Sequence, residues 1–353
     1  MGNKIAFMGV GAVGGYAGAH MAQAGEDVTF IDPWPAHVEK MQRDGLKISH
    51  IRDVPEFTVK VRAMHVTDAQ QLAKEKPIDI AFVCMKSYDT EWATTLISQY
   101  LAPGGYIVSL QNCMNEETIA GVVGWGKTVG CIASSITVDL CEPGHVRRAA
   151  GKSGTKHTVF RTGEVHGRVT DRVKEIARLV GYADSALITE NLWGERWSKL
   201  VTNVMGNGLS ACTGMLGKEM IQNDSIRRFS SRLGSEAIRV GQALGYELEE
   251  IIHLDPEIIA KAGEGDASAT RVYDEHRLSE VSKGGGEHRP SMGQDMVKGR
   301  RTEIEFLNGF VAKKGDEIGI ATPANVVLTD IVKRVEKGEL KPDPKHITDL
   351  RLN

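Results

Sequence analysis

The chain has 353 residues and a formal net charge of −3, with 41% hydrophobic and 25% charged residues, a composition ordinary for a globular protein and a length sufficient for two domains, each with its own core. With 43 basic against 46 acidic side chains, no strong field draws it to nucleic acid or to an anionic membrane, and no apolar run reaches the roughly 18 residues that span a bilayer. The five cysteines, Cys84, Cys113, Cys131, Cys141 and Cys212, are scattered without C-x-x-C spacing or a neighbouring histidine pair, so they read as reduced thiols with neither a disulfide frame nor a metal site.

The first element is a short apolar strand, Ile5-Ala6-Phe7-Met8, running directly into Gly9-Val10-Gly11-Ala12-Val13-Gly14. No signal-peptide layout precedes it, and a cytoplasmic location is expected. Gly9 permits the tight strand-to-helix turn, Gly11 lets the backbone approach a pyrophosphate, and Gly14 lets the helix pack close on the strand. The first amides of that helix sit unpaired at the positive end of its dipole, where phosphates bind. A bare G-x-G-x-x-G is weak evidence. Here it is followed by a small-residue helix (Ala17, Gly18, Ala19, Ala22), a Gly25 stop and a second strand, Val28-Thr29-Phe30-Ile31, ending at Asp32. An acidic residue at that place accepts hydrogen bonds from the adenosine ribose and repels an added phosphate, so a dinucleotide site favouring NAD(H) over NADP(H) is expected. The competing reading of Asp32 is a turn or helix-capping residue before Pro33.

Further strands are expected at residues 79–84, 106–110 and about 128–138. Apolar strands at this spacing, separated by helices, indicate a parallel sheet covered on both faces, a doubly wound Rossmann-type domain. The stretch from Gly144 to about Thr162 is expected to add edge strands that close the sheet, and residues 168–181 read as a helix. Beyond about residue 190 the texture becomes helical only, giving a dinucleotide-binding domain at 1–190 and an all-α domain at 191–353. In the latter, Asp224 is the expected cap of a helix with Ile226, Phe229, Leu233, Ala237, Val240 and Leu244 on one face, ending at Gly245. A second long helix is expected from about Ser291 to Ile318, and a last one from Thr322-Pro323. Residues 247–290, with Asp255-Pro256, Gly263-Glu264-Gly265 and three successive glycines from Gly284, read as an irregular surface insertion or a mobile lid.

Lys199, Asn203 and Asn207 recur at a spacing of four, which lines one ammonium and two carboxamides along a single helix face among apolar neighbours. Gly206 and Gly208 stand beside them at about 1 kcal/mol each relative to alanine. Local stability given up in this way marks function or close helix packing. A second cluster is Ser291-Met292-Gly293-Gln294-Asp295, followed by Arg300-Arg301-Thr302-Glu303-Ile304. Ser291 and Glu303 could share a side of one helix. Taken alone, Glu303 beside two arginines reads first as a solvated ion-pair face. Cys113 falls in an expected active-site loop, although a small buried hydrophobe is its simpler reading.

These residues carry a resemblance. The Gly9–Gly14 loop, Met85-Lys86 closing the third strand, Gln111-Asn112 after the fourth, Glu142-Pro143-Gly144, the Lys199/Asn203/Asn207 helix, Ser291-Met292-x-Gln294-Asp295 and Arg301-Thr302-Glu303-Ile304 with Asn308-Gly309 stand in the order found in ketopantoate reductases. The chain resembles that family over nearly its whole length. The resemblance implies NAD(P)H-dependent reduction of a 2-oxo acid to an (R)-2-hydroxy acid, by family 2-dehydropantoate to pantoate, in a cleft between the two domains and without a metal. It implies Lys199 as general acid and Glu303 as second catalytic carboxylate, with Asn112, Asn203, Asn207 and Ser291 holding substrate. The implied cofactor residues are Gly9, Gly11, Ala12, Val13, Gly14, Asp32, Met85, Lys86 and Asn112, and a homodimer is expected. Three departures stand out: Cys113-Met114-Asn115 replaces a glycine-rich turn, Asp32-Pro33-Trp34 stands where NADPH users place an arginine, and the stretch from Gly245 to Ser291 is longer. They leave room for an NAD-dependent dehydrogenase that oxidises a different, bulkier hydroxy acid.

Overall fold

The computed structural model describes residues 2–51, 55–134, 136–149, 151 and 157–350, and the chain divides into two compact units, Met1–Leu192 and Trp193–Asn353. The first unit contains β1 (Lys4–Met8), β2 (Asp27–Asp32), β3 (Leu46–His50), β4 (Phe57–Val59), β5 (Arg62–His65), β6 (Ile78–Val83), β7 (Leu101–Ser109), β8 (Thr128–Ala133), β9 (Val138–Glu142), β10 (His145–Arg148), β11 (Phe160–Glu164) and β12 (Ala186–Ile188). Its helices are α1 (Ala12–Gln23), α2 (Pro35–Asp44), α3 (Thr90–Ser98), α4 (Glu116–Val123) and α5 (Asp171–Gly181). Eight strands form one sheet in the order β12-β11-β8-β7-β6-β1-β2-β5, parallel except where β11 runs antiparallel to β8. The chain winds one way from β1 through β2 to β5 and the other way through β6 to β8. The carboxyl ends of β1 and β6 therefore flank the point where strand order reverses, which is where doubly wound sheets bind ligands.

Both faces of this sheet are covered, and β1 shows why its sequence is a continuous apolar run. Ile5 and Phe7 join one buried cluster with Phe30 and Phe82, while Ala6 and Met8 join another with Ile31 and Val83. Side chains alternate across a strand, so a strand buried on both sides must be apolar at every position. Phe7 and Phe82 stack with ring centres 4.7 Å apart, adding aromatic contact to area burial.

The expected edge strands after Gly144 take a different place. β10 belongs to a separate four-stranded sheet, ordered β4-β3-β10-β9, and β11 lies inside the main sheet with β12 outside it. The short, half-buried strands of the small sheet carry too little alternation to announce themselves. Residues 150 and 152–156 of that stretch lie outside the described residues. The helix expected at 168–181 begins at Asp171, where Thr170 caps it by accepting from Val173 N.

The second unit is helical: α6 (Leu192–Val204, its first residue in the other unit), α7 (Asn207–Thr213), α8 (Gly217–Gln222), α9 (Asp224–Ala243), α10 (Pro256–Glu264), α11 (Ala267–Ser282), α12 (Ser291–Val297), α13 (Asn308–Ile318), α14 (Pro323–Glu336) and α15 (Lys345–Thr348). Glycines on α9 admit neighbours closely. A Cβ at Gly241 would lie 2.3 Å from Trp197 Nε1, and one at Gly234 would lie 2.8 Å from Met205 Sδ. Trp197 is fully buried and donates its indole N–H to Ala237 O at 2.9 Å. Among the described residues no helix is long and apolar enough to cross a membrane.

Three sequence expectations for this unit are corrected. Residues 247–290 are not irregular, because they hold α10 and α11. Asp255 caps the first, accepting from Glu257 N at 2.7 Å, and Asp266 caps the second, accepting from Ala269 N at 2.8 Å. The Asp, Pro and Gly residues that looked like loop signals are caps and stops of short helices. The long helix from Ser291 to Ile318 is broken after Val297. Gly299, at φ +62, closes α12 with Gly299 N bonded to Met296 O and Arg300 N to Asp295 O, the Schellman arrangement. The helix expected to start at Asp224 is capped one residue earlier, Asn223 accepting from Ile226 N.

Candidate active site

In the first unit the turn after β1 is shaped by close approach. Gly9 has φ +92, and a Cβ there would lie 2.6 Å from Met85 Sδ. A Cβ on Gly14 would lie 2.4 Å from Gly9 O and 2.8 Å from Cys84 Cβ. At Gly11, by contrast, a Cβ would meet nothing within 4 Å, so space opens over the amides of Ala12 and Val13. The first turn of α1 carries no acidic residue, which leaves the positive end of the helix for an anion. This geometry fits the pyrophosphate of a dinucleotide cofactor.

Two buried side chains hold the turn by its second residue. Asp32 Oδ2 accepts from Val10 N at 2.7 Å, and His37 Nε2 donates to Val10 O at 2.9 Å. The proton is assigned to Nε2 because Gly144 N donates to Nδ1 at 2.8 Å, which requires that nitrogen to be bare. Burial lowers the His37 pKa, with the Asp32 charge and the Val10 bond opposing the shift. The other Asp32 oxygen accepts from Trp34 N at 2.9 Å, and the Trp34 ring stacks on His37. Asp32 is thus a turn residue as well as the acidic group at the end of β2. His37 was not singled out from sequence. Its signal is a position beside Val38 and Met41 on the buried stripe of α2.

Met85 and Lys86 follow β6, and Asn112 follows β7. Their loops are sewn together: Gln111 Nε2 donates to Met85 O and to Thr90 Oγ1, both at 2.8 Å, and Asn115 Nδ2 donates to Asn112 O at 2.7 Å. Cys113 is buried and takes φ +66. It holds the left-handed conformation that glycine adopts without penalty, at about 1–2 kcal/mol for a side chain.

In the helical unit, Lys199 and Asn203 lie one turn apart on α6. The expected single face through Asn207 is interrupted: α6 ends at Val204, Gly206 leaves helical geometry at φ −133, and Asn207 opens α7. The break sends Asn207 to Ser291, whose Oγ accepts from Asn207 Nδ2 at 3.3 Å. A close approach makes this possible, because a Cβ on Gly293 would lie 2.4 Å from Ser210 Oγ, so α12 packs hard against α7. Lys199 is partly buried and makes no hydrogen bond or ion pair among the described residues. Loss of water lowers its pKa below the ordinary lysine value, since burial penalises the ammonium. Asn203 is 9% exposed and its Nδ2 has no partner among the described residues. A buried unpaired donor costs about 1–3 kcal/mol, which a bound acceptor would recover.

Glu303 does not share a helix with Ser291. It lies beyond the Gly299 stop, where its carbonyl accepts from Phe306 N and Leu307 N, and it is 5% exposed, so it is not the solvated ion-pair face that its neighbours suggested. That face belongs to Glu305, paired with Arg301 at 3.3 Å and Lys333 at 2.7 Å.

Residues 5–160 match the family model for ketopantoate reductase PanE/ApbA, and residues 191–336 match its C-terminal model. A 2-dehydropantoate 2-reductase from Archaeoglobus fulgidus is 29% identical over 341 residues, covering 95% of this chain and 98% of that protein. Among solved structures, a PanE/ApbA family ketopantoate reductase from Ralstonia eutropha superposes with a TM-score of 0.77 at 25% identity, covering 95% of this chain and 99% of that one. A D-mandelate dehydrogenase, solved with NADH and anilino(oxo)acetate, superposes with a TM-score of 0.76 at 23% identity over the same shares. With both halves matched in order, this chain belongs to the ketopantoate reductase family, NAD(P)-dependent oxidoreductases acting on a CH–OH group.

Proposed function

We propose that this protein reduces a 2-oxo acid to an (R)-2-hydroxy acid with NADH, the family substrate being 2-dehydropantoate and the product pantoate. The observation that carries the reading is the pairing, on one helix, of a partly buried Lys199 with a buried Asn203 amide, neither of which has a polar partner among the described residues. The nicotinamide cofactor, when bound, supplies the hydride. Gly9, Gly11, Ala12, Val13 and Gly14 hold its pyrophosphate, Asp32 its ribose, and Met85, Lys86 and Asn112 its nicotinamide end. Lys199 donates its proton to the carbonyl oxygen as negative charge builds there, so one group serves as acid and as electrostatic stabiliser. Its lowered pKa brings that proton closer to working pH, and no metal is needed for this role. Asn203, Asn207 and Ser291 bind substrate oxygens, and Glu303 is the second catalytic carboxylate. Asp32 favours NADH over NADPH through its charge. The assembly proposed with this activity is a homodimer, the commonest closed oligomer; a monomeric mass in light scattering would contradict it.

A panel of 2-oxo acids, with 2-dehydropantoate as reference, tests the reading by NADH consumption. A purified protein that oxidises neither NADH nor NADPH with any of them would overturn it. A second reading, oxidation of a bulkier 2-hydroxy acid with NAD, is favoured by the likeness to a D-mandelate dehydrogenase. Comparing kcat/KM in both directions on one substrate pair separates the two, and a strong reductive bias at neutral pH would remove the second.

A further inference from the structure

The break between α6 and α7 interrupts the helical bonding four residues on, and two of the carbonyls it releases are those of Val204 and Met205. Both sit in the dry interior, Val204 fully buried and Met205 at 5% exposure, and both are satisfied by side chains from distant helices. Met205 O accepts from Ser230 Oγ at 2.7 Å. Val204 O accepts from Asn308 Nδ2 at 3.2 Å.

Asn308 is itself anchored. Its Nδ2 also donates to Asn325 Oδ1 at 3.0 Å, and Asn325 Nδ2 donates to Glu236 Oε2 at 2.8 Å and to Leu233 O at 3.3 Å. Glu236 accepts as well from the backbone amides of Ala324 and Asn325, at 2.9 and 3.0 Å. It thereby caps α14, a task that Thr322 does not perform with its side chain. Asn308 and Asn325 are fully buried. On the other side Asn308 presses against the start of α7, since a Cβ on Gly208 would lie 3.0 Å from Asn308 Oδ1. Gly206 and Gly208 therefore serve different ends: the first leaves helical geometry at the break, and the second admits the amide that fixes it.

We infer that Asn308 is a positioning residue for the reaction, acting through the Val204 carbonyl, with Asn325 and Glu236 as its anchor. The bond chain Glu236–Asn325–Asn308–Val204 fixes the angle at which Asn207 leaves the line of Lys199 and Asn203, and so sets the spacing of the groups that meet the substrate. A chain of buried amides linked through Asn308 Nδ2 and Asn325 Nδ2 holds such an angle more rigidly than apolar contact does, because each bond has a direction; Asn308 Oδ1 itself has no partner among the described residues. The inference rests on the reading of Lys199, Asn203 and Asn207 as the substrate-facing set.

The test uses the full-length protein with Asn308→Ala, and Asn325→Ala as a milder variant in which Glu236 still caps α14 through backbone amides. Hydrogen exchange of the amides from Asn207 to Ser210 reads the break without any substrate. Steady-state kinetics with NADH and a 2-oxo acid read its consequence. The expected result for Asn308→Ala is faster exchange confined to that segment and a kcat lower by about 10- to 100-fold, the scale of a misplacement near 1 Å, with KM for NADH unchanged. Asn325→Ala should shift both readouts in the same direction by less. Unchanged exchange in both variants overturns the inference, as does faster exchange with unchanged kcat. So does a kcat loss matched by a rise in KM for NADH, which would indicate general destabilisation. If the wild-type protein reduces no 2-oxo acid while exchange responds as described, the proposed activity fails and the bond chain stands as the device that fixes the break.

Discussion

The glycine turn after β1 and the break between α6 and α7 solve one problem with different materials. Each is a short piece of irregular backbone in a buried setting, and each is held by side chains from other elements. In the turn, Asp32 and His37 take the N–H and C=O of Val10. At the break, Asn308 and Ser230 take the carbonyls of Val204 and Met205. In the proposed reading the turn presents backbone amides to the cofactor, so its essential residues are those without side chains. The break presents side chains, Lys199 and Asn203 before it and Asn207 after it. The first kind of recognition depends on positions that admit no Cβ, whereas the second depends on particular functional groups held at particular angles.

The comparison predicts that damage to the two regions separates kinetically. Lys199→Ala should have the largest effect, a fall in kcat of about 10²–10⁴-fold, the usual worth of a general acid, with NADH affinity nearly unchanged by fluorescence titration; an unaltered kcat would remove Lys199 from its role. Gly14→Ala should do the reverse. Its new Cβ must push Gly9 O away from 2.4 Å, an overpacking cost of about 1–3 kcal/mol. The expected readout is NADH Kd raised roughly tenfold, with the kcat of the saturated enzyme little changed. A Gly14→Ala protein that binds NADH normally would contradict the close-packing account of the turn.

Smaller effects sharpen the role of the groups behind the turn. The wild-type protein should bind NADH more tightly than NADPH, and Asp32→Ser should narrow the gap. The same change should also weaken NADH itself, because Val10 N loses its acceptor; equal affinities in the wild type would mean that the Asp32 charge does not face the ribose. His37 gives the smallest signal. Burial lowers its folded pKa below 6.5, so the unfolded state binds a proton more readily across the interval between the two values. Stability is therefore complete above about pH 6.5 and falls as pH drops through that interval. Urea midpoints measured from about pH 8 down to about pH 5 should show a decline that is reduced in His37→Gln. An identical decline in that variant would assign the loss to other groups.

Sequence reading reached the two regions unequally, for reasons their physics explains. The turn was legible because its parts lie within one β-α-β stretch and glycine spacing maps directly onto backbone geometry. The one-turn spacing of Lys199 and Asn203 on a helix is legible in the sequence, but the break before Asn207 is not, since Met205 and Gly206 are compatible with a continuing helix until the distant Asn308 and Ser230 are known. The Asn207–Ser291 contact spans 84 residues, beyond any local pattern. In the helical unit Asp255 and Gly265 read as loop residues because capping and loop chemistry use the same amino acids. Gly299 sits inside an apparently continuous helical pattern, so its stop is visible only in its φ of +62. The small four-stranded sheet was missed because its strands are short and only partly covered.

The pH dependence of kcat for NADH-driven reduction of a 2-oxo acid tests the central claim most directly. A general acid must be protonated to act, and the Lys199 pKa is lowered from 10.5 by burial. Full activity is expected at neutral pH, with a decline on the alkaline side that sets in below the ordinary lysine range and is absent from the residual activity of Lys199→Ala. A wild-type profile that stays flat through the alkaline range, or a limb that persists in Lys199→Ala, would contradict it.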